Sequence, residues 1–233
     1  MSIFFIGRGA LLVKAVEFAL DNAIEIKGVS CLPRDFTASK IKKLGLDIHE
    51  SSNPNKDLLA TFSSNNIQFV FSINNKFILD NNLLSTGPRF INIHSGLIQS
   101  YRGIGELCIV MALCREESIY GVTMHELLPN QEVDCGPVIG QITFPITQSD
   151  DFSSVMNNSL RAAHEIFKSY LLKILSSSAP SSTLKPSTNS YTYRNFQESI
   201  ELIDKQRLEK FSNLGKFAGF FPKLNLMLKT HFN

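Results

Sequence analysis

The chain has 233 residues, 43% of them apolar, enough for one large domain or one domain plus a substantial tail around a sizeable core. Charged residues make up 19% and mean hydropathy is close to zero, which excludes wholesale disorder. The net charge of +2 is uneven: residues 205–233 carry six Lys/Arg against Glu209 alone, a local +5 that leaves −3 on residues 1–204 and no basic surface there for nucleic acid.

Residues 3–6 form a short apolar run that ends in Gly7-Arg8-Gly9, and residues 10–21 carry apolar side chains at helical spacing. Strand, glycine turn and helix open a βα unit. The turn lacks the third glycine of a dinucleotide fingerprint, Leu12 standing in its place, so it is read as a tight turn that needs glycine for its backbone. Residues 24–30, 68–73 and 90–94 read as further strands, and 37–44, 56–64 and 105–114 as helices. This alternation predicts a parallel sheet with helices on both faces. Residues 120–127 and 138–146 are two strand-like segments with no helix between them, which predicts a mixed or antiparallel edge. Asp150 and Asp151 precede a helical pattern that runs to about Leu175. Residues 176–190 hold seven Ser and two Pro, the composition of a linker. The expected layout is a domain over 1–175, a linker over 176–190 and a C-terminal arm over 191–233.

No apolar run is long enough to span a bilayer, and the amino terminus has neither the basic stretch nor the cleavage site of a secretory signal. Four cysteines, at 31, 108, 114 and 135, have no paired spacing; they read as reduced thiols of a cytoplasmic protein, with no disulfide frame and no metal site.

The chemistry-bearing stretch runs from Phe90 to Gly103. Asn92 and His94, two apart on an extended strand, share one face, at the carboxyl end of a strand where open α/β sheets place their ligands. Downstream, Asp134 lies in a loop with Gly136 and Pro137 between two strands. Asn can donate to a developing oxyanion, His can donate or shuttle a proton, and Asp can orient an imidazole or hold it charged. The same three residues also suit an Asn cap, a satisfied core histidine and a turn aspartate.

The order of motifs around them is more specific. Asn92-Ile93-His94 is followed by a short loop ending in Tyr101-Arg102-Gly103, then by Gly121-Val122-Thr123-Met124-His125 and by Asp134-Cys135-Gly136-Pro137-Val138-Ile139. Over residues 1–175, and most closely over 72–146, the chain resembles the formyltransferases that use 10-formyltetrahydrofolate. That family includes glycinamide ribonucleotide, methionyl-tRNA and amino-sugar formyltransferases. The resemblance implies a Rossmann-like α/β formyltransferase fold and an enzyme that moves a formyl group from 10-formyltetrahydrofolate to a primary amine.

It further implies that Asn92, His94 and Asp134 are the catalytic residues. Phe77, Ile78 and Leu79 match the segment whose backbone grips the pterin, and Val133, Cys135, Gly136 and Val138 the loop on its other side. Ser95, Gly96, Tyr101, Arg102 and Gly103 match the acceptor loop, in which Gln99 replaces the customary proline. His125, a second strand histidine, occupies a position that is more often structural in the family than in contact with substrate. No metal is implied.

The acceptor is read by comparison within the family. The first turn, Gly7 to Leu12, lacks the Gly/Ser-rich phosphate nest of the purine enzymes. The arm is too short for the basic domain of the tRNA enzymes, and no regulatory domain precedes the catalytic one as in the formyltetrahydrofolate hydrolases. The expected acceptor is therefore a nucleotide-linked amino sugar. The alternatives are an amine of a specialised metabolite or peptide starter unit, or a non-catalytic relative that binds folate or nucleotide sugar. In the arm, Phe211, Phe217, Phe220, Phe221 and Phe232 are too many to leave in water. They are expected to pack on the main domain or, as a homodimer, on a second subunit.

Overall fold

The computed structural model describes residues 1–64 and 66–231. In chain order the elements are β1 (Ser2–Gly7), α1 (Gly9–Asp21), β2 (Glu25–Cys31), α2 (Phe36–Lys43), β3 (Ile48–Glu50), α3 (Pro54–Asp57), α4 (Leu59–Ser64), β4 (Phe69–Ile73), α5 (Asn81–Leu84), β5 (Arg89–His94), β6 (Arg102–Gly103), α6 (Gly105–Cys114), β7 (Ile119–Leu127), β8 (Val138–Pro145), α7 (Phe152–Leu175), β9 (Ser190–Tyr191), α8 (Phe196–Glu201), α9 (Lys205–Phe211), a short 3-10 turn (Gly215–Phe217) and α10 (Pro222–Thr230).

The main sheet has the strand order β3-β2-β1-β4-β5-β7-β8. The pairs β1–β2, β1–β4, β2–β3 and β4–β5 are parallel, as the alternating pattern predicts. β7 and β8 make the mixed edge. Glu126 N–H donates to the Pro137 carbonyl at 2.9 Å while Gly121 lies against Ile142, so the two strands run antiparallel. The fold is the α/β class expected. No helix among the described residues is long and apolar enough to cross a membrane.

Chain contacts divide the molecule into two compact units. The first comprises Met1–His94, Met124–Gly140 and His164–Thr183. Its central strand β1 is buried at every position, which is why the sequence reads as one apolar run. Side chains alternate across it. Phe4 and Ile6 join Leu58, Phe62, Val70, Leu83 and Phe90 on one face, whereas Phe5 meets Phe71 and Phe167 of α7 on the other. At Gly7, with φ +153, a Cβ would fall 1.8 Å from the Ile73 carbonyl oxygen, so the first turn requires glycine for close backbone approach. Asp35 starts α2 by accepting from Thr37 N–H, and Lys40, Lys42 and Lys43 occupy its last turn, where the helix dipole favours cations.

The second unit comprises Ser95–Thr123, Gln141–Ala163 and Leu184–Asn233. Its centre is α6, apolar on every side and buried from Leu107 to Cys114. The carboxy-terminal elements supply much of this core: Tyr191, Phe196, Ile200, Leu208, Phe211, Leu214, Phe217, Leu224 and Leu228 are all buried in it. Of the five phenylalanines singled out in the sequence, Phe211 and Phe217 are buried and Phe221 packs beside them. Phe220 stays exposed, and Phe232 lies outside the described residues. Basic residues of this segment lie over rings, Lys223 at 4.5 Å from the Tyr193 centroid and Lys210 at 4.9 Å from that of Phe211.

Phe196→Ala is expected to lower unfolding free energy by about 3–5 kcal/mol, and Phe220→Ala by no more than about 0.5 kcal/mol, as read from urea unfolding. The cysteines give a second check. Burial pushes the Cys31 thiol up to about 11 and the Cys114 thiol up to about 12, so at pH 8 both remain protonated. A thiol reagent at that pH is expected to modify half-buried Cys135 in the native protein and the three buried cysteines only after unfolding.

Candidate active site

Three elements of the first unit bring the strand-end polar residues together: the end of β5, the end of β7 and the loop before β8. In the parallel register Asn92 lies beside Ser72 of β4, and His94 closes β5. His94 is buried, and its Nδ1 stands 3.5 Å from Oδ2 of Asp134. The other carboxylate oxygen, Oδ1, is 3.3 Å from Nε2 of His125. His125 is fully buried, and the same Nε2 lies 3.2 Å from the side-chain nitrogen of Asn92. Its Nδ1 faces the Glu126 main-chain carbonyl at 3.0 Å. The three residues expected to be catalytic therefore sit in one cluster, and the second histidine sits in their midst.

The loop geometry explains how Asp134 arrives there. It is only 4% exposed and adopts φ +56, a left-handed conformation that Asp tolerates better than most residues. At Gly136 a Cβ would meet the Glu126 carbonyl oxygen at 1.8 Å, so glycine lets the loop approach β7 closely. Farther up the loop, Asn130 and Asn81 are joined twice, Asn81 donating to the Asn130 side chain and accepting from Asn130 N–H. This clasp ties the loop to the start of α5.

The segment ahead of α5 is equally fixed. Asn75 accepts from Phe77 N–H and donates to the Phe77 carbonyl, and Asn55 donates to the carbonyl of Ile78 and accepts from Asp80 N–H. Leu79 is buried in the apolar cluster, whereas the Ile78 side chain is 71% exposed. On the loop, Val133 is exposed, Cys135 is half-buried, and Gly136 and Val138 are buried.

The residues after His94 belong to the second unit. Tyr120 donates to the Ser95 carbonyl at 2.8 Å, Thr123 to the Gly96 carbonyl at 2.8 Å, and the Ser95 hydroxyl meets that of Ser159 at 2.7 Å. Tyr101 and Arg102 are buried; the phenol donates to Glu117 and the guanidinium to the Ser187 carbonyl. Burial and the Glu117 carboxylate push the Tyr101 phenol far up. Gly103, at φ +96, passes so close to Tyr191 that a Cβ would meet its carbonyl oxygen at 2.3 Å.

Sequence reasoning left two contributors out of the site. His125 reaches Asn92 and Asp134 through the pairing of β7 beside β5, which no local pattern signals, and the Asn81–Asn130 clasp joins residues 49 apart, likewise with no local signal. No group of three or more His, Cys, Asp or Glu among the described residues is arranged to hold a metal ion.

The sequence profile of the formyl transferase family matches residues 36–171, more than half of the chain. An N-formyltransferase from Helicobacter canadensis, solved with folinic acid and dTDP-3-aminofucose, is similar in structure with a TM-score of 0.70 at 17% identity, over 83% of this chain and 71% of that one. A sugar N-formyltransferase from Shewanella gives 0.71 at 20% identity over 89% and 84%. Phosphoribosylglycinamide formyltransferase from Bacillus halodurans gives 0.67 at 18% identity over 76% and 96%. The chain belongs to the formyl transferase family, whose members are enzymes that transfer formyl groups.

Proposed function

We propose that this enzyme moves a formyl group from 10-formyltetrahydrofolate to the primary amine of a nucleotide-linked amino sugar. The observation that carries the reading is the cluster of Asn92, His94 and Asp134, an amide donor, an imidazole and a buried carboxylate at a strand end. Support for the sugar comes from the extent of the similarity: the match to the Shewanella sugar enzyme spans 89% of this chain and that to the purine-pathway enzyme 76%. The N-formyltransferase from Helicobacter canadensis was solved in complex with folinic acid and dTDP-3-aminofucose.

The residues present fit a reduced folate. The segment Phe77 to Leu79 is held by Asn55 and Asn75 with the apolar Ile78 side chain outward, and Val133 is exposed on the loop that the Asn81–Asn130 clasp ties to α5. Rigid main chain and exposed apolar side chains together suit a flat heterocycle with a polar edge. Ser95, Gly96, Tyr101, Arg102 and Gly103 are assigned to the acceptor side, the first two through their position in the chain directly after His94.

The folate supplies the formyl group on its N10 atom. As the amine nitrogen bonds to the formyl carbon, charge collects on the formyl oxygen, and Asn92 and a protonated His94 donate to it. The Asp134 carboxylate stabilises that imidazolium and, through a water molecule, accepts the proton the amine sheds and passes it to N10 as the carbon–N10 bond breaks. One proton leaves the amine and one arrives at the folate, so charge and atoms balance.

A stable reduced folate such as 5-formyltetrahydrofolate is expected to raise the melting temperature, because ligand that binds the folded state stabilises it; no shift near millimolar ligand would sink the folate reading. His94→Ala is expected to lower formyl transfer about a hundred- to a thousandfold while folate affinity is kept. The measurement is release of tetrahydrofolate against a panel of nucleotide amino sugars. Near-normal turnover in that variant would overturn the role given to β5.

A further inference from the structure

His125 has no part in that formyl transfer, yet it touches two of the three residues that do. Its Nδ1 lies 3.0 Å from the Glu126 carbonyl oxygen, an atom that only accepts, so Nδ1 carries a hydrogen. Nε2 is then the nitrogen whose state is open. It faces the Asn92 side-chain nitrogen at 3.2 Å and Asp134 Oδ1 at 3.3 Å. The second oxygen of that carboxylate faces His94 at 3.5 Å. One carboxylate matches one imidazolium, and the proposed chemistry needs the proton on His94. His125 is therefore the neutral ring, with a bare Nε2 that accepts from Asn92.

This matters for the amide. A side-chain amide that can turn over offers its carbonyl oxygen as readily as its N–H, and an oxygen presented to a developing oxyanion repels it. A fixed acceptor on one side of Asn92 holds the NH2 end in place and leaves its second N–H for the reacting oxygen. We propose that His125 is a positioning residue for formyl transfer: its Nε2 fixes the orientation of the Asn92 amide beside Asp134. The inference rests on the reading of Asn92 as the oxyanion donor.

The test combines three variants and one spectrum of the full chain, with 10-formyltetrahydrofolate and the amino sugar that the wild type accepts. His125→Leu keeps an apolar side chain in the buried space and removes the acceptor. It is expected to lower kcat about ten- to a hundredfold with the folate KM changed less than about threefold, the size of loss that misplacement of a reacting group produces. His125→Gln places an amide oxygen where it can accept from Asn92 and is expected to recover about tenfold of that loss. In an Asn92→Ala background, His125→Leu is expected to cost less than about threefold more, because the residue it positions is gone.

Nitrogen-15 spectra of labelled histidine are expected to show His125 protonated at Nδ1 and bare at Nε2, a readout that needs no turnover. A His125→Leu enzyme with kcat within twofold of wild type, an undiminished loss in the Asn92→Ala background, or a protonated Nε2 overturns the positioning role. If His125→Leu does not fold, the glutamine variant and the spectrum decide. A wild type that releases no tetrahydrofolate with any amine of the panel overturns the formyl-transfer reading itself, a result distinct from any failure of His125 alone.

Discussion

A carboxylate taken almost wholly out of water must find donors nearby or lose its charge, and Asp134, 4% exposed, has the His94 imidazole beside it. Everything around it serves that arrangement. The left-handed backbone at Asp134 costs about 1–2 kcal/mol for a residue with a side chain, and it turns the carboxylate inward from a surface loop. Gly136 lets the same loop lie against the β7 backbone, and the Asn81–Asn130 clasp anchors its other limb. The two histidines come from strands whose positions the sheet fixes. A site built this way is preorganised by secondary structure on one side and by a short, strained loop on the other.

The second unit works by a different principle. The all-round apolar helix α6 organises it, since it must be covered on every side. Elements from Tyr191 to Leu228 supply that cover, with aromatic pairs such as Phe152 against Phe217 and Phe221. This turns a segment with many phenylalanines and a basic charge excess into part of a core, with its lysines laid over the rings at the surface.

Some of this was legible in the residues and some was not, for physical reasons. Asn92 and His94 could be placed on one face because a strand repeats every two residues, and the glycine turn after β1 could be recognised because only glycine tolerates that approach to Ile73. The mixed edge followed from two strand-like runs with no helix between them. The part played by His125 was hidden, because it depends on which residue of β7 lies beside which residue of β5, a matter of register between strands that no local pattern encodes. One helix expected over 56–64 proved to be two short ones: Pro54 starts α3, and the chain bends at Leu58 before α4. The exposure of Phe220 beside buried Phe217 was equally invisible, since composition counts rings without saying which face each will occupy.

The second unit is woven from three stretches of chain, Ser95–Thr123, Gln141–Ala163 and Leu184–Asn233, with passages of the first unit between them. During synthesis at about 5–20 residues per second, α6 leaves the ribosome long before Leu224 and Leu228 exist to cover it. For several seconds, then, a helix that is greasy on every side stands on a nascent chain with its partners still untranslated. The parallel strands from β1 to β5, by contrast, emerge in one uninterrupted passage. Such a protein has its greatest exposure to aggregation at one definable stage of its birth, and holding chaperones would be needed there more than at any time afterwards.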